Sequence, residues 1–222
     1  MSLTPRRYIF CDLDGTLLHA PNAGRSAFGA AFTTAFDVAP DMSQINFAGA
    51  TDLLVLEQLA QQCQITTSPK QIGIFFTQLS IELDQKMKIH PPEVFPGVEA
   101  FLERVSDRWG LGLVTGNSKS SAWVKIRHAG LERFFGDVGG FGDEHGDRSQ
   151  MAALAFQRAG NPETAFLLGD TPSDILAAKN NQMISVAVCN GSFDRAALEA
   201  THPDWVLDSF LDAEELFKEL GV

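Results

Sequence analysis

Two carboxylates stand one residue apart where a run of strand-forming residues ends, in Tyr8-Ile9-Phe10-Cys11-Asp12-Leu13-Asp14-Gly15-Thr16. Positions i and i+2 of a strand point to the same side, so both acids can face one site. Like charges at a sheet end cost stability, and they need a cation or a chemical task to justify them. Further polar clusters follow later apolar runs. Thr115-Gly116-Asn117-Ser118 comes after residues 111–114, and Gly169-Asp170-Thr171-Pro172-Ser173-Asp174 after residues 166–168. Taken singly, the first is a loop with a helix cap, and the second is a helix start whose dipole favours acids. If the strands that carry them are neighbours, all three converge on one crevice.

The elements that position these clusters alternate. Residues 6–11 read as a buried strand, as do 111–115, 138–141, 165–168, 184–188 and 205–207. Helical spacing falls at 98–109, 119–129, 149–159, 172–179 and 209–220, with Gly130 and Gly160 closing two of these helices. Alternating strands and helices imply an α/β fold, a Rossmann-like doubly wound parallel sheet covered on both faces. Between residues 20 and 89 the pattern is helical throughout, with helices at 23–37, 51–63 and 69–86, and it ends at His90-Pro91-Pro92. The expected organisation is a core of residues 1–19 and 90–222 with a helical insert of residues 20–89. An insert leaving the chain just after the first strand sits over the carboxyl ends of the strands, where such sheets bind ligands.

Composition narrows the partners. The 222 residues are 45% hydrophobic and 20% charged, with a net charge of −11 and a pI near 4.8. An acidic chain is a poor partner for nucleic acid or an anionic membrane, which require a basic surface. A small phosphorylated metabolite remains compatible, because a cation can reverse the field inside one cleft. Cys11, Cys63 and Cys189 are scattered and show no CxxC, which fits a reducing cytoplasm. No leader-like stretch precedes Asp12, and no run reaches the ~18 apolar residues of a membrane span.

With all three clusters in order, each at a strand end, the chain resembles the haloacid-dehalogenase superfamily, and within it the phosphoglycolate-phosphatase-like branch with a helical cap. Asp12-Leu13-Asp14-Gly15-Thr16, Thr115-Gly116-Asn117 and Gly169-Asp170-Thr171-Pro172-Ser173-Asp174 carry the likeness. The resemblance implies a Mg²⁺-dependent phosphatase acting through an aspartyl-phosphate. Asp12 would attack phosphorus, and Asp14 would protonate the leaving oxygen and then activate water. Mg²⁺ would be held by Asp12, the Asp14 carbonyl and Asp170, with Asp174 a ligand or supporting partner. Thr115 and the amides of Gly116 and Asn117 would hold phosphoryl oxygens, with Thr16 on the same side where the chain turns into the insert.

A lysine usual in the family is missing from residues 142–149, so Arg148 is assigned its role, with Lys119 the competitor. In the insert, Gly49-Ala50-Thr51-Asp52 resembles the specificity loop of such caps but has Ala50 where a basic residue is frequent. Arg25 is read as a surface residue within reach of substrate, and Cys11 as core on the opposite face of its strand. The alternatives are a sugar phosphomutase on the same scaffold, or a non-catalytic phosphate-binding relative.

Overall fold

The computed structural model describes residues 7–20, 23–47 and 49–222. Strand β1 (Arg7–Cys11) lies inside a six-stranded sheet with β4 (Gly110–Thr115), β5 (Gly139–Phe141), β6 (Thr164–Gly169), β7 (Ile184–Val188) and β8 (Trp205–Leu207). The strand order is β5-β4-β1-β6-β7-β8, and every pair is parallel. β1 is the turning point, because the chain proceeds outward from it to either side. Cys11 is in register with Leu113 on one side and Leu168 on the other. The residues just past it therefore emerge beside Thr115 and Asp170, as the sequence pattern requires.

Alternation along β1 builds both layers of the core. Ile9 and Cys11 join one cluster with Phe101 of α4 (Val98–Ser106) and Ile126 of α5 (Lys119–His128). Tyr8 and Phe10 join the other with Met151 of α6 (Arg148–Arg158) and Ala178 of α7 (Pro172–Asn180). Cys11 is thus a buried core thiol, and burial pushes it well above the usual thiol range.

The insert is three helices, α1 (Ala23–Phe36), α2 (Asp52–Gln62) and α3 (Pro69–Ile89). Their shared cluster contains Phe28, Phe32, Phe75 and Leu79 and takes in Val124 of α5, so the helical layer is seated on the core through α5. The Phe28 and Phe75 rings lie 4.8 Å apart, within the range of favourable aromatic pairs.

Some elements differ from the sequence pattern. A two-stranded antiparallel ribbon, β2 (Leu18–His19) with β3 (Glu93–Val94), joins the two chain crossings. Two-residue strands are too short to show periodicity. The final helix divides into a 3₁₀ turn at Phe210–Asp212 and α9 (Glu214–Leu220), because Ser209 Oγ accepts the Leu211 N–H and tightens the first turn. A short α8 (Arg195–Glu199) forms where Asp194 caps the Ala197 N–H. α3 runs on to Ile89, and α4 stops at Ser106. No helix among the described residues is long and apolar enough to cross a membrane.

Candidate active site

A cleft of about 530 Å³ lies between the strand ends and the helical layer, bordered by Asp12, Asp14, Thr115, Arg148 and Asp170 on one side. Asp12 leaves β1 with its backbone N–H donated to Leu168 O at 2.9 Å. Its side chain is 7% exposed, and its carboxylate pairs with Arg148, whose Nη2 stands 2.8 Å from Oδ1. Arg148 opens α6 behind the cap residue Asp147, and its Nε lies 2.7 Å from Asp174 Oδ1. Asp174 in turn closes a capping box, accepting Thr171 N–H at 3.0 Å and Thr171 Oγ1–H at 2.7 Å through Oδ2. Both Asp174 oxygens are therefore engaged, and the residue aims Arg148 at Asp12.

Asp170 accepts the Thr16 hydroxyl at 3.0 Å. Glycines make room for it: a Cβ at Gly15 would fall 2.3 Å from its Oδ2, and one at Gly191 would fall 1.8 Å away. Gly15 also has φ +81°, a conformation that side chains resist. The short reach between strands thus brings Thr16, Asp170 and Gly191 together.

Asp12, Asp170 and Asp174 each offer an oxygen within 4.8 Å of the others. Burial, reinforced by the neighbouring acids and opposed by Arg148, pushes Asp12 up to about 6. Burial and the charges of Asp12 and Asp174 push Asp170 up to about 8. Such a set carries more negative charge than one guanidinium offsets. All its donors are carboxylate oxygens, which suits a hard divalent cation. The residues fit that group.

Asp14 points elsewhere. Its Oδ2 accepts from Asn117 Nδ2 at 2.7 Å and pairs with Lys125 Nζ at 2.5 Å. Burial works against ionisation, but Lys125 and Asn117 outweigh it and hold the carboxyl below the usual range. A ligand role for Asp14 would fall to its main chain. The Lys125 side chain is only 7% exposed. Sequence reading missed it, because a lone lysine on a helix of mixed polarity carries no signal until the fold turns it inward.

Thr115 is fully buried, and its Oγ1 accepts both the N–H and the Nδ2–H of Asn117, at 3.3 and 2.8 Å. The Asn117 amide is directed at Thr115, and its side chain reaches Asp14. The Gly116 carbonyl accepts Asp52 N–H at 2.7 Å, and a Cβ on Gly116 would fall 2.2 Å from Ala50 O. Asp52 then accepts Ser118 N–H at 2.7 Å, and Leu53 N–H reaches Gly142 O at 2.9 Å. The start of α2 is thereby fastened to the loops after β4 and β5. Burial pushes Asp52 up to about 6, even against the Ser118 bond and Lys125. Asp52 also borders the cleft.

Lys119 is not at the site; it is half-exposed, and its Nζ lies 3.5 Å from Asp137. Between the competitors for the basic position, Arg148 stands beside Asp12. Arg25 borders the cleft, but its guanidinium donates to Met42 O and to Ile45 O, the latter at 2.8 Å, and lies 5.0 Å from the centre of the Phe47 ring.

The sequence profile of the family described as haloacid dehalogenase-like hydrolase matches residues 8–188. The chain belongs to that family. A phosphoglycolate phosphatase of Synechococcus elongatus is 29% identical over 129 residues, 58% of this chain and 61% of that protein, so the chain spans less than two thirds of that relative. One from Vibrio cholerae is 26% identical over 213 residues, covering 91% of this chain and 92% of its own. Among solved structures, CbbY from Rhodobacter sphaeroides, in complex with phosphate, superposes with a TM-score of 0.74 at 20% identity, over 95% of this chain and 96% of its own. This haloacid-dehalogenase-like hydrolase stands among the phosphatases by its named relatives.

Proposed function

We propose that this hydrolase cleaves a small phosphate monoester through an aspartyl-phosphate on Asp12, with Mg²⁺ as cofactor. One observation carries the reading: Asp12 lies at the base of the cleft against Arg148, while Asp14 is held apart on its own partners. The separation lets two carboxylates two residues apart do different work.

Asp12 attacks phosphorus as the bond to the leaving oxygen breaks, and Asp14 delivers a proton to that oxygen. Water then attacks the aspartyl-phosphate, Asp14 takes its proton, and phosphate leaves with the Asp12 carboxylate restored. Lys125 and Asn117 favour the ionised form of Asp14, the form that takes the proton from water in the second step, and that same proton is the one Asp14 carries to the leaving oxygen of the next turnover. Arg148 offsets charge at Asp12 and on the phosphoryl group, and Thr115 with Gly116 borders the remaining oxygens. A cation held by Asp12 and Asp170, with the Asp14 main chain beside them, would neutralise the phosphate so that a carboxylate can approach it. Asp174 serves by orienting Arg148.

p-Nitrophenyl phosphate turnover with Mg²⁺, compared with Asp12→Asn and with a chelator, tests the reading. Wild type no faster than the variant over a broad ester panel defeats it. Single turnover in isotopically labelled water separates hydrolysis, which places label in released phosphate, from transfer to a second sugar hydroxyl.

A further inference from the structure

The basic residues that border the cleft are not equivalent. Arg148 is held by Asp12 and Asp174, and Lys125 by Asp14. His19 borders the cleft from the ribbon and acts on Asp14. Arg25 is different. It borders the same cleft, and among the described residues no carboxylate pairs with it. Its guanidinium donates through Nη1 to Met42 O and through Nη2 to Ile45 O, the latter at 2.8 Å, and lies 5.0 Å from the centre of the Phe47 ring. Neutral carbonyls and a ring face fix the direction of the fork without cancelling its charge. They also leave N–H groups of the fork for a ligand. Arg25 stands in the first turn of α1, where the helix dipole disfavours a cation, so the helix gains nothing from that charge.

A phosphate monoester held at the strand ends extends its leaving group into the rest of the cleft, whose helical side is Arg25 with Phe28, Phe47 and Leu79. Ala50, in the loop of the insert, borders the cleft and offers no charge there. Asp52, the acid on that side, accepts Ser118 N–H and lies in the field of Lys125. One guanidinium without an acid, set among apolar side chains, matches one negative charge, and its planar fork matches the two oxygens of a carboxylate. We infer that Arg25 is the specificity-determining residue of this cleft. It binds a carboxylate on the leaving group, so that phosphate esters of hydroxy acids are preferred over esters of uncharged alcohols of the same size. The inference rests on the phosphatase reading for turnover but not for binding.

Its test therefore measures both. Calorimetry of the wild-type chain with Mg²⁺ compares phosphonopropionate with propylphosphonate, which present a carboxylate or a methyl group at the same place. Steady-state kinetics compares phosphoglycolate with ethyl phosphate in the same way. In each pair the carboxylate should be favoured about tenfold or more, in Kd and in kcat/KM. Arg25→Gln keeps amide donors for the two carbonyls but no charge, and should lower both ratios about fivefold or more. Arg25→Lys restores the charge without the fork and should recover part of the preference. Equal binding of the two phosphonates by wild type, or binding of neither, overturns the inference without any variant. So does a kcat/KM for ethyl phosphate that matches that of phosphoglycolate, or a preference that persists at its wild-type size in Arg25→Gln. If no ester is turned over while the binding preference holds and depends on Arg25, the phosphatase reading fails and the role of Arg25 stands.

Discussion

The two walls of the cleft are held by different forces. The strand-end wall is a network of buried charges, Asp12, Arg148, Asp174 and Asp170, each fixed by strand register or by a helix cap. The helical wall is a packed apolar layer, fastened to the core by Val124, by backbone bonds from Asp52 and Leu53, and by His128 Nε2 at 2.9 Å from Asp84. Charge networks fail abruptly when one member is removed, because the others stay buried without compensation. Apolar walls change in proportion to the surface lost. The proposed chemistry therefore falls on the wall that tolerates least.

The sharpest way to break this contrast is at Asp12. Asp12→Asn should lower kcat by about 10⁴-fold or more, as removal of a nucleophile does, while a thermal melt stays cooperative. Arg148→Ala comes next. It leaves Asp12 and Asp174 facing each other, so a loss of about 3–5 kcal/mol of stability is expected, with kcat down by about 10²–10³-fold. Arg148→Lys keeps the charge without the fork and should retain more of both in the same assays. An Arg148→Ala protein with wild-type kcat would remove this residue from the site.

On the other wall, Phe47→Ala should raise KM for p-nitrophenyl phosphate by about 5–10-fold while kcat stays within about twofold, the signature of uniform binding. A fall in kcat with unchanged KM would show that the helical wall takes part in the chemistry.

The smallest effect sharpens the charge argument. Asp12 at about 6 and Asp170 at about 8 lie above the ordinary carboxylate range. Without metal, these two groups hold more protons in the folded chain than in the unfolded chain across this window. The contribution of these two groups to stability falls as pH rises from about 4 towards 8. Asp170→Asn should raise the metal-free Tm near pH 8 by about 2–4 °C for each ~1 kcal/mol of repulsion relieved. Near pH 5 the gain should vanish. Calorimetry in a chelator checks it, and added Mg²⁺ should raise the Tm of wild type but not of the variant.

Much of this site was legible from short-range patterns. Asp12 and Asp14 stood out because two acids closing an apolar strand have no folding rationale, and Thr115 and Asp170 because each follows a further apolar run. Lys125 was not legible, and Asp52 was visible only as part of the Gly49-Ala50-Thr51-Asp52 loop, not as a residue that binds Ser118. Lys125 lies among mixed polar neighbours on α5, and Asp52 looks like an acid in the first turn of a helix. The ribbon at Leu18–His19 and Glu93–Val94 escaped because its pairing spans the whole insert and involves two residues a side.

The sequence by itself determined the alternation of strands and helices, the helical insert after the first strand, and the acids at the strand ends. These depend on periodicity and local chemistry, which neighbouring residues carry. Only the tertiary structure decided which cation meets which acid. Arg148 rather than Lys119 reaches Asp12, Lys125 reaches Asp14 from 111 residues away, and Asp52 closes on Ser118 across 66. Those pairings follow from register and from how each helix is turned against the sheet. No local pattern encodes either.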